Sequence, residues 1–304
     1  MVTEKLILIL KLGRLHFLVA GFLLYLLGVL LASVLFNQFS WDRFIWGYLI
    51  VLPAHLMVNY SNDYFDQEVD RYSSPTQFSG GSGILLAHPE LVRFAHKFSL
   101  AMIGLSLILG VGFSYFYNAP IILVLTISGI FLGWYYTAPP LKFSYNGMGE
   151  IATVLSGFII PGLGFAAMMG VLNIQYILFS VPIMLFYVLF ILSVEVPDRE
   201  ADQKGGKNTF IVRYGRNTGI KLMAMASALA TLIFLILPAD LYQPINLDLL
   251  ALLSFIPTIS AVWTLYNRAK SLEILNRSIL RNINTLVLFV ALTNIYLLIL
   301  FWTG

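Results

Sequence analysis

Two short acidic windows hold eight of the fifteen Asp and Glu residues in this chain of 304 residues. The first reads NYSNDYFDQEVD at 59–70, and the second reads SVEVPDREAD at 193–202. Each contains oxygen-bearing side chains spaced four residues apart, which places them on one face of a helix. The residues on these faces are Asn62, Asp66 and Asp70 in the first window and Asp198 and Asp202 in the second.

Carboxylates stacked at this spacing repel one another, so solvent or a bound cation must neutralise them. One interpretation is a solvated helix end with local partners, for which Arg71 and Arg199 are available. The other is a metal site, because Mg²⁺ prefers oxygen ligands and typically takes one or two carboxylates together with substrate phosphate. Two matching faces that meet across a cavity would hold Mg²⁺ and a diphosphate between them, which favours the metal site.

The composition indicates that a membrane surrounds these acids. Hydrophobic residues make up 59% of the chain and charged residues only 11%, against about 25% charged residues in typical soluble domains. We therefore expect one polytopic transmembrane domain covering residues 1–304. The chain has no cysteine, which excludes disulfides and thiolate metal sites. Because no basic run carries interleaved aromatic residues, nucleic acid is not expected as a partner.

Nine apolar stretches are long enough for a membrane-spanning helix, which needs about 20 residues. They are predicted at 14–36, 41–62, 91–115, 119–137, 150–170, 174–197, 218–238, 247–267 and 281–303. Backbone polar groups in lipid must be satisfied within the segment, and no stretch alternates as a barrel strand does, so the predicted fold class is all-α. The two acidic windows then follow the second and the sixth spans.

Charge placement orients these spans. With a cytoplasmic N-terminus, one side of the membrane holds 17 of the 18 Lys and Arg residues, and the other side holds only Arg43. Because positive residues concentrate on the cytoplasmic side, we predict a cytoplasmic N-terminus and an outside C-terminus. The loops at 71–90 and 198–217 then form cytoplasmic caps over the acids, with a short helix near 83–88. The basic residues of the second cap, Lys207 among them, are expected to set the topology.

The motifs resemble those of the UbiA superfamily of intramembrane aromatic prenyltransferases, which carry two Asp-rich motifs on the second and sixth of nine helices. The matching stretches are NDYFD with its following Asp at 62–70 and D-x3-D at 198–202. Three further stretches agree: SGGSGIL at 79–85, YYTAPPLKFSYNGMGE at 135–150 and GGKNT at 205–209. The SGGSG loop is most similar to the menaquinone-type branch, and the resemblance covers nearly the whole chain.

The resemblance implies a reaction and a set of site residues. An isoprenyl diphosphate such as geranylgeranyl diphosphate would donate its prenyl group to an aromatic or quinone-precursor acceptor, with Mg²⁺ as cofactor. The implied metal ligands are Asn62, Asp66, Asp70, Asp198 and Asp202, and the implied catalytic residues are Asp66, Asp198 and Lys142. The implied diphosphate-binding residues are Arg71, Tyr136 and Lys142, with Tyr135 an equally good match for the tyrosine, and the supporting residues are Asn59, Asp63 and Glu195.

One departure leaves the acceptor open. The menaquinone-type branch usually has Asn-Asn-x-Arg-Asp before its second motif, whereas Glu195 stands in the corresponding segment here. A naphthoate, 4-hydroxybenzoate, a prenylated glycerol phosphate and a porphyrin-derived alcohol all stay candidate acceptors. Candidates for the base that removes the ring proton are Asp63 and Glu195. His55, two turns before Asn62, is either a hydrogen-bonded buried histidine or a residue that reaches the cavity.

Two other functions fit parts of the pattern. A cation-coupled transporter would use paired intramembrane acids to bind its ion, but these acids lie at helix ends rather than at the membrane midplane. A non-catalytic membrane scaffold would leave the spacing of the acids unexplained. The prenyltransferase accounts for both windows, and it requires membrane lipid around it because a prenyl tail is lipid-soluble and its diphosphate is not.

Overall fold

The computed structural model describes residues 2–73, 80–268 and 271–303. Within these residues the chain forms twelve α-helices and two 3₁₀ turns, and no strand. The α-helices are α1 Val2–Leu12, α2 Leu15–Phe36, α3 Trp41–Phe65, α4 Gln67–Asp70, α5 Ile84–Ala87, α6 Val92–Phe116, α7 Pro120–Trp134, α8 Gly149–Met169, α9 Ile174–Lys204, α10 Phe210–Ile236, α11 Leu247–Asn267 and α12 Leu272–Thr303. The predicted all-α fold class is confirmed.

Eight helices in the described part of the chain are long and apolar enough to cross a membrane. They are α2, α3, α6, α8, α9, α10, α11 and α12. The span predicted at 119–137 is the 15-residue helix α7, which ends early because Pro139 and Pro140 follow it. The nine predicted spans therefore correspond to eight full-length helices and one short apolar helix.

Several helices continue beyond their predicted apolar stretches. α3 runs to Phe65 rather than 62, and α9 runs to Lys204 rather than 197. α10 begins at Phe210 rather than 218, and α12 begins at Leu272 rather than 281. The additional turns carry polar residues, which a hydropathy criterion for a span leaves out. The second acidic window consequently lies on the same helix as the sixth span.

The spacing of the first motif predicted that it lies on one unbroken helix, and this prediction is wrong. The backbone leaves helical geometry at Asp66, with φ −93° and ψ 8°, before α4 begins. The amide of Asp66 still donates to the carbonyl of Asn62 at 2.9 Å, and the amide of Asp70 donates to the carbonyl of Asp66 at 2.9 Å. The four-residue step is therefore kept in the hydrogen bonding, although α3 ends within the motif.

Glycines let α2 and α8 touch backbone to backbone. A Cβ on Gly28 would lie 1.8 Å from the carbonyl oxygen of Pro161, and a Cβ on Gly164 would lie 2.0 Å from that of Tyr25. Small residues are the usual means of close helix packing in membranes. This contact joins two helices that both contribute to the wall of the cavity described below.

Candidate active site

Lys207 joins the two acidic motifs. Its Nζ lies 2.7 Å from Oδ2 of Asp66 and 3.9 Å from Oδ1 of Asp202, and both carboxylates are buried. The end of α3 and the end of α9 therefore meet in one group of carboxylates, which we call the acid cluster. Its members are Asp63, Asp66, Asp70, Asp198 and Asp202.

A glycine turn brings Lys207 to this position. After α9 ends, the chain reverses through Gly205 and Gly206, and Gly206 has a φ of +80° in the left-handed region that favours glycine. A Cβ on Gly205 would lie 2.4 Å from Cγ2 of Val69, so the turn packs directly against α4. The amide of Lys207 then donates to the carbonyl of Asp202 at 2.8 Å.

The ammonium group of Lys207 is held in its charged form. Burial lowers the pKa of Lys207, whereas the nearby carboxylates of Asp66 and Asp202 raise it. The raising effects together are larger, so the pKa lies well above the ordinary lysine value. From the sequence we expected this lysine to set membrane topology, and that expectation missed its place among the acids. The available signal was its position five residues after Asp202, inside a glycine turn.

A tyrosine connects Lys142 with the acid cluster. The hydroxyl of Tyr145 donates to Oδ1 of Asp66 at 2.8 Å, and Nζ of Lys142 lies 4.9 Å from the centre of the Tyr145 ring. Burial and the carboxylate of Asp66 raise the pKa of Tyr145, so its hydroxyl stays a donor. Lys142 thus lies beside a direct partner of Asp66, and Tyr145 is a site residue that sequence reasoning did not select.

The glycines of the first cap loop lie directly on the acid cluster. The amide of Gly80 donates to Oδ2 of Asp198 at 3.0 Å, and the amide of Ser82 donates to Oδ2 of Asp63 at 3.2 Å. The Ser82 hydroxyl donates to the same oxygen of Asp63. The loop therefore contacts both motifs at once, and it does so through their carboxylates.

Only part of the predicted cap at 71–90 can be compared with the structure. Residues 74–79, which include Ser79 of the SGGSG stretch, lie outside the described residues. The short helix expected near 83–88 is present as α5, which starts directly after Gly83.

Two of the residues predicted to have supporting roles hold the N-terminal segment. Nη2 of Arg14 forms an ion pair with Oδ1 of Asp63 at 2.8 Å. Nδ2 of Asn59 donates to the carbonyl of Gly13 at 2.8 Å. The junction of α1 and α2 is therefore tied to the motif end of α3. Arg14 was not selected from the sequence, because a basic residue at the start of a span is also an ordinary topology signal.

Glu195 lies at the N-terminus of α10. Its Oε2 accepts a hydrogen bond from the amide of Ile211 at 3.4 Å, and the neighbouring Glu150 accepts one from the amide of Phe210. Carboxylates at a helix N-terminus satisfy its free amides and interact favourably with its dipole. This position gives a structural reason for the acid that departs from the menaquinone-type pattern.

The side chain of Arg71 is exposed, and within the described residues it forms no ion pair with the acid cluster, although it directly follows Asp70 in the chain. Its predicted role in diphosphate binding therefore rests on the resemblance alone. Glu68, which lies off the spacing of the motif, is exposed as well.

A cavity of about 620 Å³ lies within the helix bundle, and its wall includes Asn62, one helical turn before Asp66 of the acid cluster. Asn62 and Tyr136 line it at the cluster end, where Oδ1 of Asn62 accepts a hydrogen bond from Thr137 at 3.0 Å. The remaining wall is mostly apolar. Tyr135 is not part of the lining, so Tyr136 is the tyrosine that the structure brings to the cavity.

The oxygen ligands of the acid cluster suit Mg²⁺. Burial and the carboxylates of Asp63 and Asp66 raise the pKa of Asp70 to about 7, which indicates more negative charge than the local cations balance. Among the described residues, no three acidic, histidine or cysteine side chains are already arranged around a metal position. Mg²⁺ accepts such a site, because it takes few protein ligands and completes its shell with water and substrate phosphate. The residues present therefore fit a Mg²⁺ ion that binds together with a diphosphate.

Comparison with known sequences decides the family. The profile of the UbiA prenyltransferase family matches residues 21–277, which is most of the chain. The chain belongs to the UbiA prenyltransferase family. The resemblance inferred from the motifs is confirmed, and this UbiA-family chain is a prenyltransferase and an integral membrane protein. The transporter and the scaffold are set aside.

Two relatives illustrate the range of this UbiA family. The chain is 29% identical over 224 residues to 1,4-dihydroxy-2-naphthoate octaprenyltransferase of Bacillus subtilis (strain 168). This alignment covers 72% of this chain and 70% of that protein. It is 25% identical over 162 residues to the chloroplastic chlorophyll synthase of Arabidopsis thaliana. This alignment covers 52% of this chain and 40% of that protein.

Solved UbiA structures share the fold. A UbiA homologue from Archaeoglobus fulgidus bound to DMAPP and Mg²⁺ aligns with a TM-score of 0.71 and 18% identity, covering 95% of this chain and 98% of that chain. The apo UbiA homologue from Aeropyrum pernix K1 aligns with a TM-score of 0.67 and 13% identity, covering 91% and 96%. The helical arrangement of this UbiA-family chain is therefore that of polytopic membrane proteins.

Proposed function

We propose that this prenyltransferase transfers a polyprenyl group from an isoprenyl diphosphate to an aromatic acceptor and releases diphosphate. The observation that carries the proposal is a mostly apolar cavity whose wall includes Asn62, one helical turn before Asp66 of the acid cluster. Such a cavity suits a hydrocarbon tail, and the cluster suits a Mg²⁺-bound diphosphate. Geranylgeranyl diphosphate is our first choice of donor.

The proposed metal ligands are Asn62, Asp66, Asp70, Asp198 and Asp202. Their oxygen chemistry supports this assignment, as does the A. fulgidus homologue, which is bound to Mg²⁺ and an allylic diphosphate. When bound, Mg²⁺ would stabilise the negative charge that builds on the leaving diphosphate. Asn59, Asp63 and Glu195 would support this site through the contacts described above.

The basic residues of the site would act on the diphosphate. Lys207 lies between Asp66 and Asp202, so its ammonium group can exchange a carboxylate for a phosphate oxygen without leaving the site. Lys142 and the hydroxyls of Tyr136 and Tyr145 would add further donors. Donors that are already in place stabilise charge developing on a leaving group without reorganisation.

The apolar wall of the cavity would protect the reactive carbon. Loss of diphosphate leaves positive charge on the prenyl carbon, which water would capture. The mostly apolar wall would keep water away from that carbon and so preserve it for the acceptor ring. The ring carbon forms the new bond, and a base then takes the ring proton.

We further propose 1,4-dihydroxy-2-naphthoate as the acceptor, which would place the protein in menaquinone-like lipid synthesis. The support is the B. subtilis relative of that name, whose alignment covers 70% of its length, together with the SGGSG stretch. The charge distribution supports a site on the cytoplasmic face, with the N-terminus inside and the C-terminus outside. We treat residues 1–304 as one domain with this single site.

Purified protein in detergent tests the proposal. With Mg²⁺, radiolabelled geranylgeranyl diphosphate and a panel of acceptors that includes 1,4-dihydroxy-2-naphthoate and 4-hydroxybenzoate, we expect a prenylated product and one equivalent of diphosphate. Chelation of Mg²⁺ with EDTA is expected to stop both. Absence of product with every acceptor would reject the proposed reaction, and turnover restricted to an acceptor other than the naphthoate would reject only the acceptor.

Gly81→Ala is expected to disturb the site through Asp70. Gly81 has a φ of +68°, and a Cβ there would lie 2.1 Å from Oδ2 of Asp70, so the loop and the carboxylate cannot both keep their positions. Because a displacement of about 1 Å near the reacting groups can lower the rate about a hundredfold, we expect kcat/KM to fall at least about tenfold.

Gly215→Ala is the matched control for this substitution. Gly215 has a comparable φ of +81°, but a Cβ there would meet no heavy atom within 4 Å. Alanine is strained at the positive φ of either position, and more so at Gly215, where ψ is 159° at a kink in α10. A melting curve should therefore show a loss of stability in Gly215→Ala at least as large as in Gly81→Ala. Equal losses of kcat/KM in the two variants would mean that contact with Asp70 is not the cause.

A further inference from the structure

Most polar side chains in the cavity wall already have a partner in the protein. The side chains that form hydrogen bonds with protein groups are those of Arg14, Asn59, Asn62, Ser106, Thr126, Thr153 and Ser156. The hydroxyl of Thr126, for example, donates to the carbonyl of Ile122 on the same helix at 2.7 Å. These groups are satisfied without a ligand.

His55 differs from them. It lines the cavity, and within the described ranges of the chain its side chain forms no hydrogen bond, a property that it shares with Tyr136, Tyr187 and Asn284 of the same wall. An imidazole in apolar surroundings is unfavourable unless its nitrogen atoms are hydrogen-bonded. The structure therefore decides between the two interpretations of this residue: it reaches the cavity and is not a histidine satisfied by the protein.

The neighbouring helix α2 provides a recess for the ring of His55. A Cβ on Gly21 would lie 2.4 Å from Nδ1 and 2.7 Å from Cε1 of this ring. A larger residue at position 21 would displace the imidazole. The Nδ1–Cε1 side of the ring is thus held against α2.

The position of His55 along α3 sets its height relative to the acid cluster. It precedes Asn59 by four residues and Asn62 by seven, so the three share a helix face. At a rise of 1.5 Å per residue, His55 lies about 10 Å from Asn62 along the helix axis. Tyr187 on α9 precedes Asp198 by eleven residues, the same step that separates His55 from Asp66, so both side chains line the cavity at about 16 Å along their helices from the acid cluster.

A prenyl diphosphate cannot satisfy His55. With its diphosphate at the acid cluster, the rest of that substrate is hydrocarbon and has no polar atom to offer. An aromatic acceptor carries hydroxyl or carboxylate groups, and its ring must lie beside the carbon that leaves the diphosphate. We infer that His55 binds a hydroxyl or carboxylate of the aromatic acceptor through Nε2 and so positions the ring for attack. This inference rests on the reaction proposed above.

Substitutions at His55 test this positioning role. His55→Phe keeps the ring and removes its hydrogen bond, whereas His55→Gln places an amide near the position of Nε2. Equilibrium binding of 1,4-dihydroxy-2-naphthoate, measured without prenyl diphosphate, should weaken about tenfold in His55→Phe, the usual effect of losing one hydrogen bond. The KM for this acceptor should rise in parallel, the KM for geranylgeranyl diphosphate should stay within about twofold, and His55→Gln should restore most of the affinity.

His96→Phe is the matched control, because His96 stacks on Tyr64 outside the cavity lining. It should leave both KM values unchanged. Unchanged acceptor affinity in His55→Phe, or equal losses for both substrates, would overturn the inference while the reaction itself stands. Absence of turnover by the wild-type enzyme with every acceptor of the panel would overturn the proposed reaction and this inference with it.

Discussion

Asp66→Asn and Asp198→Asn should each reduce kcat/KM by more than about a hundredfold while the protein still folds in the membrane. A bound metal stabilises developing charge by several kcal/mol, and each 1.4 kcal/mol, roughly, is a factor of ten in rate. Asparagine keeps the volume of the side chain and removes the charge that would hold the metal. The measurements are steady-state diphosphate release and the size-exclusion profile in detergent.

Asp42→Asn is the control for these variants. Asp42 is an exposed acid in the first turn of α3, at the opposite end of the helix from Asp66. Its loss removes the same charge from the same helix and should leave kcat/KM unchanged. Wild-type rates in either motif variant would refute the assignment of that aspartate to the metal site.

Lys207→Met is expected to affect both stability and turnover. The lysine is the cation between two buried carboxylates, with only 13% of its side chain exposed. Removing one partner of a buried ion pair costs about 3 kcal/mol, because the remaining charges are left uncompensated. We expect the free energy of unfolding to fall by about this amount in Mg²⁺-free buffer. We also expect kcat to fall by about a hundredfold, since the diphosphate loses a positioned donor.

The stability effect of Lys207→Met should depend on the metal. Mg²⁺ with inorganic pyrophosphate supplies positive charge to the same carboxylates, so it should raise the melting temperature of Lys207→Met more than that of the wild type. Lys204→Met, at an exposed lysine three residues earlier, should behave as the wild type does. If Mg²⁺ and pyrophosphate raised the melting temperatures of Lys207→Met and the wild type by the same amount, Lys207 and the metal would not neutralise the same carboxylates.

Local patterns in the sequence predicted most of the fold. Apolar length located the eight full-length helices and the short apolar helix α7, and the spacing of the acids located both motifs. These features depend only on neighbouring residues, which is why they can be read from the sequence. The ends of α3 and α9 were placed too early because polar turns continue a helix beyond the apolar segment.

The interactions that join the motifs could not be predicted in the same way. Lys207 and Tyr145 reach Asp66 from 141 and 79 residues away in the chain. No local pattern reports such a contact, and a lysine in a loop between two spans has an ordinary explanation as a topology signal. The first cap loop was expected over the acids, but its direct contacts, from the amides of Gly80 and Ser82 to Asp198 and Asp63, join residues far apart in the chain.

The short helix α7 gives the bilayer a role in the reaction. Its 15 residues extend about 22 Å at 1.5 Å per residue, less than the roughly 30 Å of bilayer hydrocarbon. A helix of this length is matched by thinning of the adjoining lipid or by flanking residues that reach the interface, at a fraction of a kcal/mol per ångström. Thr126, Gly129 and Gly133 of this helix also wall the substrate cavity. Hydrophobic mismatch therefore falls on the side of the protein that holds the substrate, which couples the enzyme to the thickness of its host membrane.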